Sequence, residues 1–254
     1  MTRPPRYVID LEKQFPTLPN APIVEAVIQI NATPTKQIDL PELKSTLQNR
    51  FEGYEIKDLV HMEAGFTGSS SGMEIHQKSM WDGLMLNSPD RKYVCQWKRT
   101  GVIVSRLAPY ENWENFQAAF MRFWVCYREL HSPELIESIS VRFISQIGLK
   151  ANDRPADFVE KVPPPLKGLG LRSDSFYHQD IIPVKGYPYE IRLVRAMQRA
   201  AEPSSVKATL IVDIDVAKTE ATVFEELDKS LNEIRFLKNS VFFAFMKDAE
   251  SKFS

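Results

Sequence analysis

Two aspartates that stand two residues apart are the clearest candidates for acid–base or metal chemistry. Asp213 and Asp215 lie in the segment 210–216 (LIVDIDV), which alternates apolar and polar residues like a strand. On a strand both carboxylates point to the same face, where they could bind a metal ion or exchange protons. The alternation is also typical of a half-exposed sheet with its polar face in water. We favour this second interpretation, because no further metal ligand is visible nearby.

A second group of candidates consists of arginines in or beside predicted strands. They are Arg106, Arg142, Arg192, Arg195 and Arg199. Together with nearby aromatic residues they could line a groove for phosphate or carboxylate groups. Ion pairs at strand ends explain them with fewer assumptions, and we favour that interpretation. Arg192 and Arg199 fall on opposite faces of a regular strand, so these residues do not form one basic stripe.

Other motifs that carry chemistry are absent from the sequence. It contains no phosphate-binding loop, no dinucleotide fingerprint, no nucleophile elbow and no zinc-protease motif. Two cysteines, Cys95 and Cys126, are too few for a disulfide framework or a cysteine zinc site, and we expect buried free thiols. Structural or surface roles are favoured for the four scattered histidines: His61, His76, His131 and His178. We therefore predict no catalytic residue, no metal and no cofactor.

The elements that would position these side chains run through one order twice. The first run is predicted as a strand at 23–31, a helix from Asp39 to Gly53, a flexible loop at 65–72, strand segments at 73–77, 83–87, 93–97 and 102–107, and an aromatic-striped helix at 112–130. The second run is predicted as a strand at 140–150, a short helix at 155–162, strands at 177–184, 189–199 and 205–216, and a long helix that starts at a Thr222–Glu225 capping box.

These elements predict an α+β fold. We expect two β-α-β-β-β-α pseudo-repeats, with antiparallel sheets that each pack against a long helix. The predicted organisation is an extended, proline-rich N-terminal arm at 1–18, a first α+β unit at 19–131 and a second at 132–254. Because the link between the units is too short for a flexible tether, we expect them to pack as one body.

Composition excludes several classes of protein. The 254 residues are 43% hydrophobic and 26% charged, which is ordinary for a globular domain. No stretch is long and apolar enough for a membrane-spanning helix, and no secretion signal is visible, so we expect a cytoplasmic protein. With 32 basic against 33 acidic residues, the balanced charge makes nucleic acid a less favoured partner, although Arg192, Arg195 and Lys207 keep that alternative open.

Three segments together carry a resemblance. They are PNAPIVEAV from Pro19, RLAPYENWENF from Arg106 and VRFISQI from Val141. With the later LIVDIDV segment, the chain resembles a sporadically distributed bacterial protein family of about this length, whose members carry no assigned activity. Ser145 departs from the family pattern, which usually has asparagine there. Sporadic distribution is typical of genes that travel with defence or conflict systems, so the resemblance implies an accessory, antitoxin-like or immunity-like component.

The leading hypothesis from the sequence is a non-enzymatic subunit that works through contacts with another protein or with itself. The alternative is a small-molecule-binding module or enzyme, with a pocket of several hundred cubic ångströms between sheet and long helix. We predict the functional residues to be Glu25, Arg106, Tyr110, Trp113 and Arg142. Glu25 and Arg142 are expected to form a cross-strand ion pair if the two units join through their first strands.

Overall fold

The described residues form nine strands and four helices. A computed structural model describes residues 7–69, 72–164, 168–169, 171, 173–199 and 206–254, with side chains for all of these except 61–79. The strands are β1 (Ile23–Asn31), β2 (Glu55–Ser69), β3 (Gly72–Asn87), β4 (Tyr93–Lys98), β5 (Gly101–Leu107), β6 (Ser138–Leu149), β7 (Phe176–Pro183), β8 (Tyr189–Arg199) and β9 (Ala208–Lys218). The helices are α1 (Leu40–Arg50), α2 (Trp113–His131), α3 (Leu227–Phe245) and α4 (Ala249–Phe253).

The strands join into one antiparallel sheet in the order β2-β3-β4-β5-β1-β6-β9-β8-β7. The fold is therefore α+β, as the sequence predicts, but the expected separate sheets are wrong. They merge because β1 pairs with β6 along its length, from Ile23 opposite Ser145 to Asn31 opposite Ser138. This pairing satisfies the outer backbone groups of both first strands, which would otherwise be exposed edges.

Both long helices cover the same face of the sheet. Phe143 of β6 shows this, because its ring lies near Trp113 of α2 and also near Lys238 of α3. The aromatic stripe predicted on α2 is buried there, as the spacing by three and four residues requires. Its buried members are Trp113, Phe116, Phe120, Phe123, Trp124 and Tyr127.

Several local predictions are wrong for identifiable reasons. The glycine- and serine-rich stretch at 65–72 falls in the long β2–β3 hairpin, apart from residues 70–71, which lie outside the described residues. Main-chain pairing forms this hairpin whatever its side chains prefer, and it merges two predicted segments into β3. The predicted helix at 155–162 is reduced to a 3-10 turn at Pro155–Asp157.

The capping box expected at the start of the last helix is also wrong. Thr222 is buried and forms a β-bridge with Ile136. A 3-10 turn at Phe224–Glu226 follows, and α3 begins only at Leu227. A long-range backbone contact thus replaces the local cap. Among the described residues, no helix is long and apolar enough to cross a membrane.

Substitution of Gly101 tests the central β1–β5 packing. Its φ is +146°, and an added Cβ would lie 2.0 Å from the Ile30 carbonyl oxygen. We expect Gly101→Ala to lower the free energy of unfolding by more than about 2 kcal/mol, because backbone must move. At the control position Gly168, φ is also positive, but among the described residues no atom lies within 4 Å of the added Cβ. Gly168→Ala should cost about 1 kcal/mol. Chemical denaturation measures both, and equal losses would contradict this account.

Candidate functional site

A cavity of about 450 Å³ lies between the sheet, the two long helices and the N-terminal arm. Its sheet wall consists of Ile23, Phe143, Ser145 and Ile214. The segment 110–114 at the start of α2 forms one side, and α3 forms another. Residues of the segment 11–18 of the arm form a further side, and the cavity is partly open to solvent. The cavity occurs where β1 and β6 pair, beside a β-bulge between Ile23 and Glu25.

Lys238 of α3 is the most unusual group in this cavity. The side chain is half-buried and lines the cavity. The Nζ atom lies 4.0 Å from the centre of the Phe143 ring. Burial, with a smaller contribution from Arg235, lowers the pKa of Lys238 to about 7. Among the described residues, no carboxylate pairs with it.

The carboxylates that line the cavity already have partners. Glu114 forms an ion pair with Arg235, in which Oε1 of the carboxylate lies 3.0 Å from Nη1 of the guanidinium. Glu111 pairs with Arg106 at 2.7 Å and also accepts a hydrogen bond from Asn115. The remaining lining cation is Lys13 of the arm, which lies over the ring of Phe15. The cavity wall therefore carries more unpaired positive than unpaired negative charge.

Two polar aromatic residues complete the inner wall. The indole Nε1 of Trp113 is buried and has no hydrogen-bond partner among the described residues. Burial raises the pKa of the Tyr110 phenol, so this hydroxyl stays protonated at neutral pH. The Tyr110 ring packs edge-on against Phe143, with ring centres 5.4 Å apart. The wall thus combines aromatic surface with a few polar hydrogens.

The arm is held by aromatic contacts and one hydrogen bond. Phe15 stacks on Phe243 and meets Phe236 edge-on, each at 5.7 Å between ring centres. The backbone N–H of Ile9 donates to the Tyr187 hydroxyl at 3.2 Å. The described part of the arm, residues 7–18, therefore lies on the protein's own body, and its inner residues form a wall of the cavity.

The five residues selected from the sequence do not form one site. Tyr110 and Trp113 line the cavity, whereas Glu25, Arg106 and Arg142 do not. Arg106 is 1% exposed and is held by Glu111, the Leu107 carbonyl and the ring of Tyr93. Its guanidinium is therefore held inside the fold and is not part of the cavity wall.

The predicted ion pair between Glu25 and Arg142 is wrong, because Arg142 has a different partner. Arg142 instead donates two hydrogen bonds to Asp213 of β9, from Nε at 2.8 Å and Nη2 at 2.6 Å. This bidentate pair raises the pKa of Arg142, and Glu25 contributes only at longer range. Glu25 on β1 and Asp213 on β9 both lie opposite Ile144 of β6, so strand register does not choose between them. The Asp213 carboxylate is the one that meets both arms of the guanidinium fork.

The Asp213–Asp215 pair is likewise tied to arginines of neighbouring strands. Asp215 lies 4.0 Å from Arg192, and burial raises the pKa of its carboxyl. In the part of the chain that the structure describes, no group of three or more His, Cys, Asp or Glu residues could hold a metal ion. Arg195 is buried against the Lys161 carbonyl and Asp180, so it cannot contribute to a basic surface for nucleic acid.

The described histidine and cysteine positions are compatible with structural roles. His131 is buried, and its Nε2 accepts a hydrogen bond from the indole of Trp97 at 3.1 Å. Burial lowers the pKa of His131, which keeps the ring neutral. Cys95 and Cys126 are buried and unpaired, and burial raises the pKa of both thiols.

Sequence reasoning missed Lys238, although a signal was present. Ile234, Lys238 and Phe242 follow one another at intervals of four, so a lysine interrupts a stripe whose neighbours are buried. Such a residue must either reach past the core or face a cavity.

Comparison with known proteins adds no family. No protein-family model matches the chain, and no curated protein matches it at a significant level.

Replacing Lys238 should change the pH dependence of stability. Its pKa is about 7 in the folded protein against 10.5 in an unfolded chain, so between these values the unfolded state binds the additional proton. The free energy of unfolding therefore rises as pH increases from 7 to 10.5. Below pH 7, Lys238 is charged in both states, and the folded state bears the whole destabilisation from its ammonium group. We expect Lys238→Met to raise the free energy of unfolding by about 1–2 kcal/mol at pH 7 and to remove that rise.

The control for this prediction is Lys229→Met, at an exposed position of the same helix. Denaturation curves measured from pH 6 to 10 should run parallel to wild type for Lys229→Met and converge with it at high pH for Lys238→Met. Parallel curves for both variants would show that Lys238 titrates as an ordinary surface lysine.

Proposed function

We propose that this chain is a small-molecule-binding module whose site is the cavity between the sheet, α2, α3 and the arm. One observation carries the proposal: Lys238 presents an ammonium group without a carboxylate partner, among described residues, to an aromatic cavity of about 450 Å³. Burying such a cation is unfavourable, and a ligand that approaches it recovers part of that cost.

The cavity is of a size that suits a small ligand. Ligand pockets generally hold about 300–1,000 Å³ and combine apolar walls with a few polar groups. Rings of Tyr110, Phe143 and Phe242 supply the apolar wall here. The cavity is partly open to solvent, and residues of the arm form part of its wall. We propose binding without turnover.

Filling the cavity should prevent ligand binding without unfolding the protein. Ser145 is 3% exposed and lines the cavity, so Ser145→Leu adds a side chain inside it. Gln146 is exposed on the other face of β6, and Gln146→Leu is the matched control. Native mass spectrometry of protein purified from its host should show a bound small molecule in wild type and Gln146→Leu, but not in Ser145→Leu. A molecule retained by Ser145→Leu would contradict the assignment of the site.

The second candidate function is the one expected from the sequence, a protein-interaction subunit. It would use a surface other than the cavity. Strand β7 is the last strand of the sheet, and three large apolar side chains on it are exposed: Tyr177, Ile181 and Ile182. An exposed apolar edge strand is a template for pairing with another chain. A protein partner, or a second copy, could bind this edge. The defence-related accessory role implied by the family resemblance would belong to this function.

A charge on the β7 edge should disrupt assembly. Ile181 and Val223 are each 54% exposed but lie in different parts of the fold. With the neighbouring genes co-expressed, we expect Ile181→Lys to lose a complex that Val223→Lys retains, because an edge lysine opposes strand pairing. Native mass spectrometry measures the stoichiometry. A complex that survives Ile181→Lys would remove β7 as the interaction surface.

We also propose that the chain consists of two pseudo-repeats, at 19–131 and 132–254, preceded by the arm at 1–18. The strand order supports this, because β1 is followed in space by β5-β4-β3 and β6 by β9-β8-β7. The first half has an additional strand, β2, at its outer edge. The unpaired thiols of Cys95 and Cys126 are compatible with the reducing cytoplasm that we propose as its location.

A further inference from the structure

The charge around the cavity indicates what kind of ligand it holds. Lys238 lacks an ionic partner among described residues, while Glu111 and Glu114 are engaged by Arg106 and Arg235. A cationic ligand would therefore find no free carboxylate on the described wall. A neutral ligand would leave the Lys238 ammonium without compensation. The wall lacks an anionic group beside the Lys238 Nζ, and a ligand with such a group would supply it.

The remaining wall favours an anion with a single charge and an apolar body, because the other lining lysine, Lys13, is exposed to solvent. Phosphate groups are generally held by arginine forks or several donors, but Arg235 of this wall is already paired with Glu114. Lys238 lies over the Phe143 ring, and Tyr110 and Phe242 also line the cavity, so the part of the ligand next to its anionic group would contact aromatic carbon. A monocarboxylate with an aromatic or alkyl chain satisfies both conditions.

We propose that the cavity binds a small apolar monocarboxylate, whose carboxylate pairs with Lys238 and whose hydrocarbon part packs against Tyr110, Phe143 and Phe242. This inference rests on the proposed binding function and specifies its ligand class. The carboxylate forms a charge-assisted hydrogen bond with the ammonium group, and the aromatic wall excludes water from that bond.

Binding is linked to protonation of Lys238. The charged groups that surround it are Arg235 on its own helix, Lys13 on the arm, and Glu111 and Glu114 beside α2. The sheet wall contributes only uncharged side chains, those of Ile23, Phe143, Ser145 and Ile214. Because both carboxylates are paired elsewhere, the ligand's carboxylate becomes the main stabiliser of the ammonium form. Affinity should be constant below pH 7 and fall above it, with a proton taken up on binding.

The test compares two probes of the same shape, 4-phenylbutyrate and 4-phenylbutyramide, by titration calorimetry on the full chain. We expect the carboxylate to bind wild type about ten- to a hundredfold more tightly than the amide at pH 6.5. In Lys238→Met the two affinities should become equal, with the amide affinity retained. Titrations of wild type at pH 8 in buffers of different ionisation enthalpy should show proton uptake, a result that needs no variant.

The outcomes separate this inference from the proposed function. If wild type binds carboxylate and amide equally, or Lys238→Met keeps the preference for the carboxylate, the charged-ligand inference is overturned and the binding module stands. If neither probe binds to wild type, the cavity does not accept ligands of this size and the proposed function itself fails. Binding that is unaffected by Ser145→Leu would place the ligand outside the cavity and overturn both.

Discussion

The antiparallel pairing of β1 with β6 is the interaction on which the rest of the structure depends. It joins residues more than a hundred positions apart in sequence into the centre of a nine-stranded sheet. Because β1 and β6 bury side chains on the same face of the sheet, the long helices α2 and α3 must both pack on that face. The start of α2 and the middle of α3 then converge above Phe143, and the space they do not fill becomes the cavity. Residues of the arm form a further side of it.

A half-buried lysine without a carboxylate partner among the described residues is costly to keep in such a place. Most of the packing around it is satisfied: the α2 stripe is buried, and Arg106 is held by Glu111 and a carbonyl, although the Trp113 Nε1 has no partner among the described residues. Lys238 differs because its only close partner among the described residues is an aromatic ring. Proteins commonly keep such unfavourable groups where binding uses them, since stability and function draw on the same interactions. The lowered pKa of Lys238 follows from the same burial.

Local patterns predicted much of the secondary structure. Spacing by three and four residues placed α2 and its buried face, and alternation placed β1, β6 and β9 close to their observed bounds. Predictions failed where a distant strand or bridge overrode local preference. Pairing of β2 with β3 continues through Gly65–Phe66, and a bridge to Ile136 removes Thr222 from its expected cap. The candidate site was less predictable, because Tyr110 and Trp113 line the cavity while Arg106 and Arg142 form ion pairs with Glu111 and Asp213 and do not line it.

The sequence by itself determined the α+β class, the buried faces of the long helices and the lack of a known catalytic motif, because these depend on residue type and on periodicities of two and 3.6 residues. Only the tertiary structure decided that there is one sheet, that Asp213 rather than Glu25 binds Arg142, and that Lys238 faces a cavity. The physical reason is that a cavity remains where side chains from different elements do not come into contact. Whether they come into contact depends on the register of β1 against β6 and on where α2 and α3 lie across the sheet. No local pattern of residues encodes either of these.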